Sequence, residues 1–271
     1  MKTIRGRKAI VTGAGSGIGS AIAIALAREG ADLCLIGRDE AKLKAAAAQA
    51  QSHGVEATTL VCDLTQPSEI SAAVKTVLAQ WPRIDILVNN AGVSYYGPTE
   101  LMTTAQARQI LSTNLLAPIQ LIQELLPTFI AQRGAHIVNV SSIFGLVTMR
   151  KGAAYQATKF GLVGFSNTIR AEYWRTGIGV TVLCPGFVRT PMLDQYGTGA
   201  PGQQRHAIPG WASTTPEHVA DVAIRAIRRN KGLVVITWSA RVIWWLMRLS
   251  PGLFDWLMRE GWRKKRPGAA D

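Results

Sequence analysis

The sequence predicts one doubly wound α/β domain: a parallel sheet of seven strands in a three-layer α/β/α sandwich. Three observations predict it. Short, nearly continuous apolar runs recur seven times, at 7–11, 31–36, 55–62, 84–88, 135–140, 179–183 and 233–236. Strands covered on both faces read this way, whereas half-exposed strands alternate. Helical stretches separate the runs, and regular alternation implies parallel strands joined by right-handed crossovers. A glycine-rich turn, Gly13 to Gly19, follows the first run directly.

The elements follow in order. Gly17–Arg28 is helical after that turn. Asp39 caps a helix to about Ser52, since a carboxylate there accepts from free first-turn N–H groups. Pro67–Gln80 and Pro216–Arg229 are helices that begin on proline, whose missing N–H is not needed at that position. Thr104–Gln132 is one long helix carrying Pro118 and Pro127, so kinks or a break are expected at the prolines. Ala153–Arg175 is the last long helix before the 179–183 strand. The pattern ends near residue 238. Residues 239–271 form a separate amphipathic, basic extension.

Composition narrows the function classes. A 271-residue chain that is 48% hydrophobic with 26 glycines is neither disordered nor collagen-like. Cys34, Cys62 and Cys184 lie in separate apolar runs, which suits buried free thiols in a reducing compartment better than disulfides or a metal cluster. The charged start, Met1 to Lys8, is followed by an apolar run too short for a signal peptide. No run reaches the ~20 residues needed to span a bilayer, so a cytoplasmic protein is expected. Net charge is +13, and Arg225–Asp271 alone holds eleven basic and three acidic residues.

Thr12–Gly19 reads T-G-A-G-S-G-I-G between a strand and a helix. Glycines there let the backbone approach a pyrophosphate, whose charge meets free N–H groups at the helix start. The second strand ends Ile36-Gly37-Arg38. An acid at this point would bind a ribose 2′-hydroxyl, whereas Arg38 favours a 2′-phosphate and hence NADP(H) over NAD(H); the alternative is a solvated loop arginine. Asp63 either accepts from an adenine amino group or caps the turn before Pro67. Asn89-Asn90-Ala91-Gly92 ends the fourth strand. Tyr155 and Lys159 are four apart and share a helix face. An ammonium group beside a phenol lowers its pKa and fits it for proton exchange with a carbonyl or alcohol. Ser142, next to Ser141, either holds a substrate oxygen or caps a turn. Asn114 stands mid-helix, where asparagine is a poor helix former.

Together these residues resemble the short-chain dehydrogenase/reductase family, over about Lys8 to Ile236. The motifs occur in the family's order, ending with P-G-x-V-x-T at Pro185–Thr190. The resemblance implies a Rossmann-type fold, oxidoreductase chemistry on CH–OH/C=O groups, and a homodimer or homotetramer. It implies Tyr155 as general acid/base, Lys159 as its electrostatic partner and ribose ligand, Ser142 as the group orienting substrate oxygen, and Asn114 as the holder of a relay water. Gly13, Ser16, Gly17, Ile18 and Gly19 would form the phosphate turn. Asp63, Leu64, Asn90, Ala91 and Gly92 would line the adenosine side, and Pro185, Gly186, Val188 and Thr190 the carboxamide and phosphate side. No metal is implied.

The expected substrate is a hydrophobic ketone, aldehyde or alcohol. Tyr95, Tyr96, Phe144, Met149, Met192, Leu193, Tyr196 and Trp211 are its candidate lining; the same residues suit loop packing or a subunit interface equally well. In the extension, residues 239–266 combine tryptophans with Arg and Lys. They either pack on the protein or a partner subunit, or touch a membrane surface; nothing resembles a nucleic-acid reader. Alternative readings are a cofactor-binding regulatory or scaffold protein without turnover, and an epimerase or dehydratase on the same fold.

Overall fold

The structure, a computed structural model, describes residues 1–190, 197–198, 210 and 213–263. Seven parallel strands form the sheet: β1 (Lys8–Thr12), β2 (Asp32–Gly37), β3 (Ala57–Val61), β4 (Ile86–Asn89), β5 (Ala135–Val140), β6 (Ile178–Pro185) and β7 (Leu233–Ile236). Their spatial order is β7-β6-β5-β4-β1-β2-β3. The order reverses at β1, which pairs β2 on one side and β4 on the other. Such a reversal opens a crevice at the carboxyl ends of the strands.

One face is covered by α1 (Gly17–Arg28), α2 (Glu40–Gln51) and α7 (Pro216–Arg229), through side chains such as Ile22, Leu26, Leu43, Val219 and Ile227. The other is covered by α3 (Pro67–Gln80), α5 (Ala117–Ala131) and α6 (Ala153–Glu172), through Ile70, Val77, Leu121, Leu125, Phe129 and Ile169. Central strands β4, β5 and β6 are buried along their whole length, while edge strand β3 is partly exposed. That is why the apolar runs were continuous.

The long helix expected over 104–132 is divided just before Pro118, as expected there, but not at Pro127. α4 (Thr104–Leu111) ends in a wide π-type turn over Ser112–Leu116, in which Ala117 N–H donates to the Ser112 carbonyl five residues back. Pro118 then sits in the first turn of α5, and Pro127 is carried inside α5 without ending it. Pro118 has no N–H for the carbonyl of Asn114 four residues earlier. Asn114 is thereby released from the ordinary helical bonding scheme. π-turns of this sort concentrate at functional sites.

The chain continues past β7 as α8 (Trp238–Leu249) and α9 (Pro251–Arg263). Their inner residues Ala240 and Phe254 join Ile143, Val147, Val163, Val182, Cys184 and Val235 in an apolar cluster at the β7 edge. Thr237, at φ +80°, starts α8 by accepting from the Ala240 N–H. Among the described residues no helix is long and apolar enough to cross a membrane.

His136 on β5 is a buried titratable group within the sheet. Its Nε2 lies 2.8 Å from Thr181 Oγ1, which donates its only proton to the Lys231 carbonyl at 2.6 Å. His136 must therefore donate from Nε2. Burial, then the N-terminal ammonium and Arg170, push its pKa down to about 3. The unfolded imidazole protonates near 6.5, so between 6.5 and 3 the unfolded chain binds the extra proton. Stability from this residue is intact above pH 6.5 and is lost as pH falls through that window, at up to about 1.4 kcal/mol per pH unit. Urea midpoints from pH 7 to pH 4 should decline less steeply in His136→Gln.

Candidate active site

The crevice at the strand ends is lined by Gly13, Ser16, Gly17, Ile18, Gly37, Arg38, Cys62, Asp63, Leu64, Asn90, Ala91, Gly92, Val93, Thr113, Val140, Ser141, Tyr155, Lys159 and Thr190. Residues from eight separate stretches of sequence thus share one wall. At its glycine end, Gly13 and Gly17 adopt φ of +63° and +56°. Ser16 precedes α1 in an extended conformation and makes no side-chain cap to it, and the first turn of α1 holds no acid. The helix start therefore presents uncapped N–H groups, the positive end of the helix dipole.

A residue not singled out from sequence holds this turn in place. Thr12 Oγ1 accepts from the backbone N–H groups of Asn90 (3.0 Å) and Ala91 (3.1 Å) and donates to the Val88 carbonyl. Asn90 Nδ2 donates in return to the carbonyls of Thr12 and Gly13. Asn90 thus clamps β4 to the turn. Gly19 lies beneath this clamp and does not border the crevice. A Cβ on it would fall 2.2 Å from the Gly13 oxygen and 2.4 Å from Asn90 Nδ2. Gly19→Ala should destabilise the fold by about 1–3 kcal/mol through overpacking, measured as a lower urea midpoint.

At the β2 and β3 ends, Arg38 is exposed on the crevice wall. Its neighbour Asp39 is committed elsewhere, accepting from the Lys42 N–H and pairing with the Lys42 ammonium at 2.8 Å. The carboxylate next to Arg38 is thus held by a helix start. Asp63 caps its turn, as one of its two expected roles required, and also borders the crevice. One oxygen accepts from the N–H and hydroxyl of Thr65, and the residue still lines the crevice. The Thr65 bonds, aided by the Arg38 charge, hold its pKa below the usual carboxylate value against the opposing effect of burial.

At the other end, α6 brings Tyr155 and Lys159 to the same wall. Lys159 is buried, its ammonium 5.6 Å from the Tyr155 ring centre and donating to the Val140 carbonyl at 2.9 Å. Burial pushes its pKa down to about 8, so it stays largely protonated at neutral pH. The Lys159 carbonyl accepts from Ser141 Oγ. Gly145 allows this approach, because a Cβ there would lie 2.6 Å from both groups. Buried Cys184 nearby has its thiol pushed up to about 12 by burial; with Cys34 and Cys62 it is a free thiol.

Asn114 and Ser142 stand just behind the wall. Asn114 is fixed by two 2.8 Å bonds with the Val93 backbone and a longer one to Thr158 Oγ1. Gly92 lies beside both Asn114 and Lys159: a Cβ on it would sit in ordinary contact, 3.4 Å from Asn114 Oδ1 and 3.8 Å from Lys159 Nζ. Ser142 Oγ accepts from the Phe144 N–H at 3.2 Å, which leaves its proton to donate. Gln156, unmarked in sequence, closes the loop before α6 by bonding both polar backbone atoms of Met149 and the Lys151 carbonyl.

Other expected residues are placed differently. Pro185 closes β6, and Gly186 is small because Thr237 at the start of α8 lies where its Cβ would be, at 2.6 Å. Val188 pairs with Thr214, whereas Thr190 packs on Gly17 at the crevice. Tyr95 is buried with its hydroxyl on the Pro98 carbonyl, and Phe144 packs edge-on against Phe187. Both are packing residues of the surrounding loops and do not border the crevice. Tyr96 is partly exposed beneath the Lys151 ammonium, and Met149 is partly buried. Met192, Leu193, Tyr196 and Trp211 lie outside the described residues.

A family profile described as short chain dehydrogenase matches residues 7–200. The chain belongs to the short-chain dehydrogenase/reductase family, a family of oxidoreductases. This short-chain dehydrogenase is similar to dehydrogenase/reductase SDR family member 7B of Xenopus laevis, 32% identical over 94% of this chain and 82% of that protein. It is similar to ketoacyl reductase HetN of Nostoc sp., 31% identical over 87% and 80% of the two chains. Among solved structures, a metagenomic short-chain oxidoreductase in complex with NADP matches with TM-score 0.73 and 32% identity, over 86% of this chain and 96% of that one.

Proposed function

We propose that this short-chain dehydrogenase is an NADP(H)-dependent carbonyl reductase or alcohol dehydrogenase for a substrate with substantial apolar surface, the ketone of an acyl chain included. The observation that carries this reading is the shared wall: Tyr155 and buried Lys159 border the same crevice as the glycine turn. The residues present fit a dinucleotide phosphate. The uncapped start of α1 suits a pyrophosphate, and the exposed Arg38 suits a 2′-phosphate. The NADP complex of a similar oxidoreductase and the names of the ketoacyl reductase relatives support the same reading. The bound nicotinamide supplies the hydride.

The chain's own residues handle the proton. Tyr155 gives its hydroxyl proton to the carbonyl oxygen, and the Lys159 ammonium stabilises the phenolate left behind. Ser142 donates to the same oxygen. The Asn114 carbonyl, released by Pro118, accepts from a water that passes a proton back toward Lys159. A cytoplasmic homo-oligomer completes the proposal; exposed Leu111, Leu116 and Phe160 on α4 to α6 offer apolar surface for a second copy.

The test is a panel of aryl ketones, alkyl ketones and ketoacyl thioesters, followed by cofactor absorbance with NADPH and NADH. No turnover with either cofactor would overturn the reading. Lys159→Met supplies a second measurement. Without the ammonium the Tyr155 pKa rises, so the pH profile of alcohol oxidation should move to more alkaline pH as kcat falls.

A further inference from the structure

Helix α8 is apolar on two opposite sides. Ala240, Trp244 and Met247 face the cluster at the β7 edge. Val242, Trp245 and Leu249, spaced i, i+3 and i+7, share the outward face and are 56%, 49% and 77% exposed. α9 repeats the pattern: Phe254 is buried, while Leu253, Trp256 and Leu257 are exposed. A helix that is hydrophobic all round is normally covered all round. The stripe is bordered by charge of one sign. Arg241 and Arg248, seven apart, lie along one side of it and are exposed, and Arg248 stacks on Trp244 at 5.7 Å. From Trp238 to Asp271 the sequence holds seven basic and three acidic residues, including Arg263-Lys264-Lys265-Arg266.

We propose that the α8–α9 hairpin is a docking face for an anionic lipid bilayer. Tryptophan and aliphatic side chains enter the headgroup and acyl boundary, while the arginines meet lipid phosphates. Charge selects this occupant over a second copy of the chain. A symmetric pairing through this stripe would set Arg241 and Arg248 against their own kind in a protein of net charge +13. The hairpin packs on Ile143 and Val147, just beyond Ser142, so a bilayer on this face lies beside the catalytic segment. The proposal goes beyond the reductase reading and stands or falls separately.

The experiment is co-sedimentation of the full chain with phosphatidylcholine vesicles with and without phosphatidylglycerol. The wild type should pellet with the anionic vesicles at low salt. It should release at about 1 M salt, where the screening length falls to about 3 Å. Trp245→Glu/Leu249→Glu should weaken binding by about tenfold or more, as should Arg241→Glu/Arg248→Glu. Cofactor titration should be unchanged in both, since the altered side chains lie away from the crevice; the urea midpoint should fall only modestly, through loss of the Arg241 bond to the Val235 carbonyl and of the contacts of Arg248 and Trp245 with Trp244. Failure of the wild type to pellet at low salt, or pelleting by Trp245→Glu/Leu249→Glu equal to wild type, would overturn the proposal. So would light scattering that shows a wild-type dimer split by the same substitutions without any lipid binding.

Discussion

Tyr155→Phe is expected to slow carbonyl reduction by about 10²–10⁴-fold, the usual contribution of a positioned general acid. The substitution removes one oxygen and keeps the ring that sits 5.6 Å from the Lys159 ammonium. Folding and dinucleotide affinity should therefore change little. The informative comparison sets single-turnover reduction against cofactor affinity from fluorescence titration. Loss in the first with retention in the second assigns the phenol to the proton step. Near wild-type turnover would require another donor at the carbonyl oxygen, and Ser142, whose hydroxyl proton is uncommitted, is a candidate.

The second large effect concerns cofactor choice. Arg38→Asp should reverse the order of kcat/KM for NADPH and NADH. Hydrogen bonds to a charged group contribute about 1.5–3 kcal/mol, so losing the guanidinium lowers NADPH efficiency roughly 10- to 100-fold. The new carboxylate adds repulsion toward a 2′-phosphate and offers an acceptor to a 2′-hydroxyl. Asp39 does not already perform that task, because Lys42 holds it from both backbone and side chain. If Arg38→Asp left the preference for NADPH intact, the arginine would be a solvated loop residue and the selectivity would lie elsewhere.

The strands and most helices were legible because burial on both sheet faces leaves an uninterrupted apolar signature, as in Ala135–Val140 and Ile178–Pro185. The glycine turn and the Tyr155–Lys159 pair were legible because each is local: a positive-φ turn and an i, i+4 spacing. What escaped was everything created by chain segments meeting far apart in sequence. Thr12 bonding Asn90, Gln156 closing the Met149 loop, and Gly145 yielding to the Lys159 carbonyl carry no short-range signal. Gly19 and Gly186 stood among the expected cofactor residues; in the structure the first makes room for the Asn90 clamp and the second for the start of α8. For Tyr95 and Phe144 the sequence left substrate lining and loop packing open, and the structure shows the packing contacts, with neighbouring backbone and rings.

The wide turn at Ser112–Leu116 amounts to one surplus residue in a rod that would otherwise be regular. Each residue advances a helix by about 100°. Because the wide turn unwinds by about that amount, excising one residue there would let α4 and α5 close into a continuous cylinder with both flanks facing as before. Ile110 would keep its berth, while the asparagine amide could no longer face Val93. A shortened chain could therefore keep its fold and lose the aim of one side chain, since a miscounted turn is what directs Asn114.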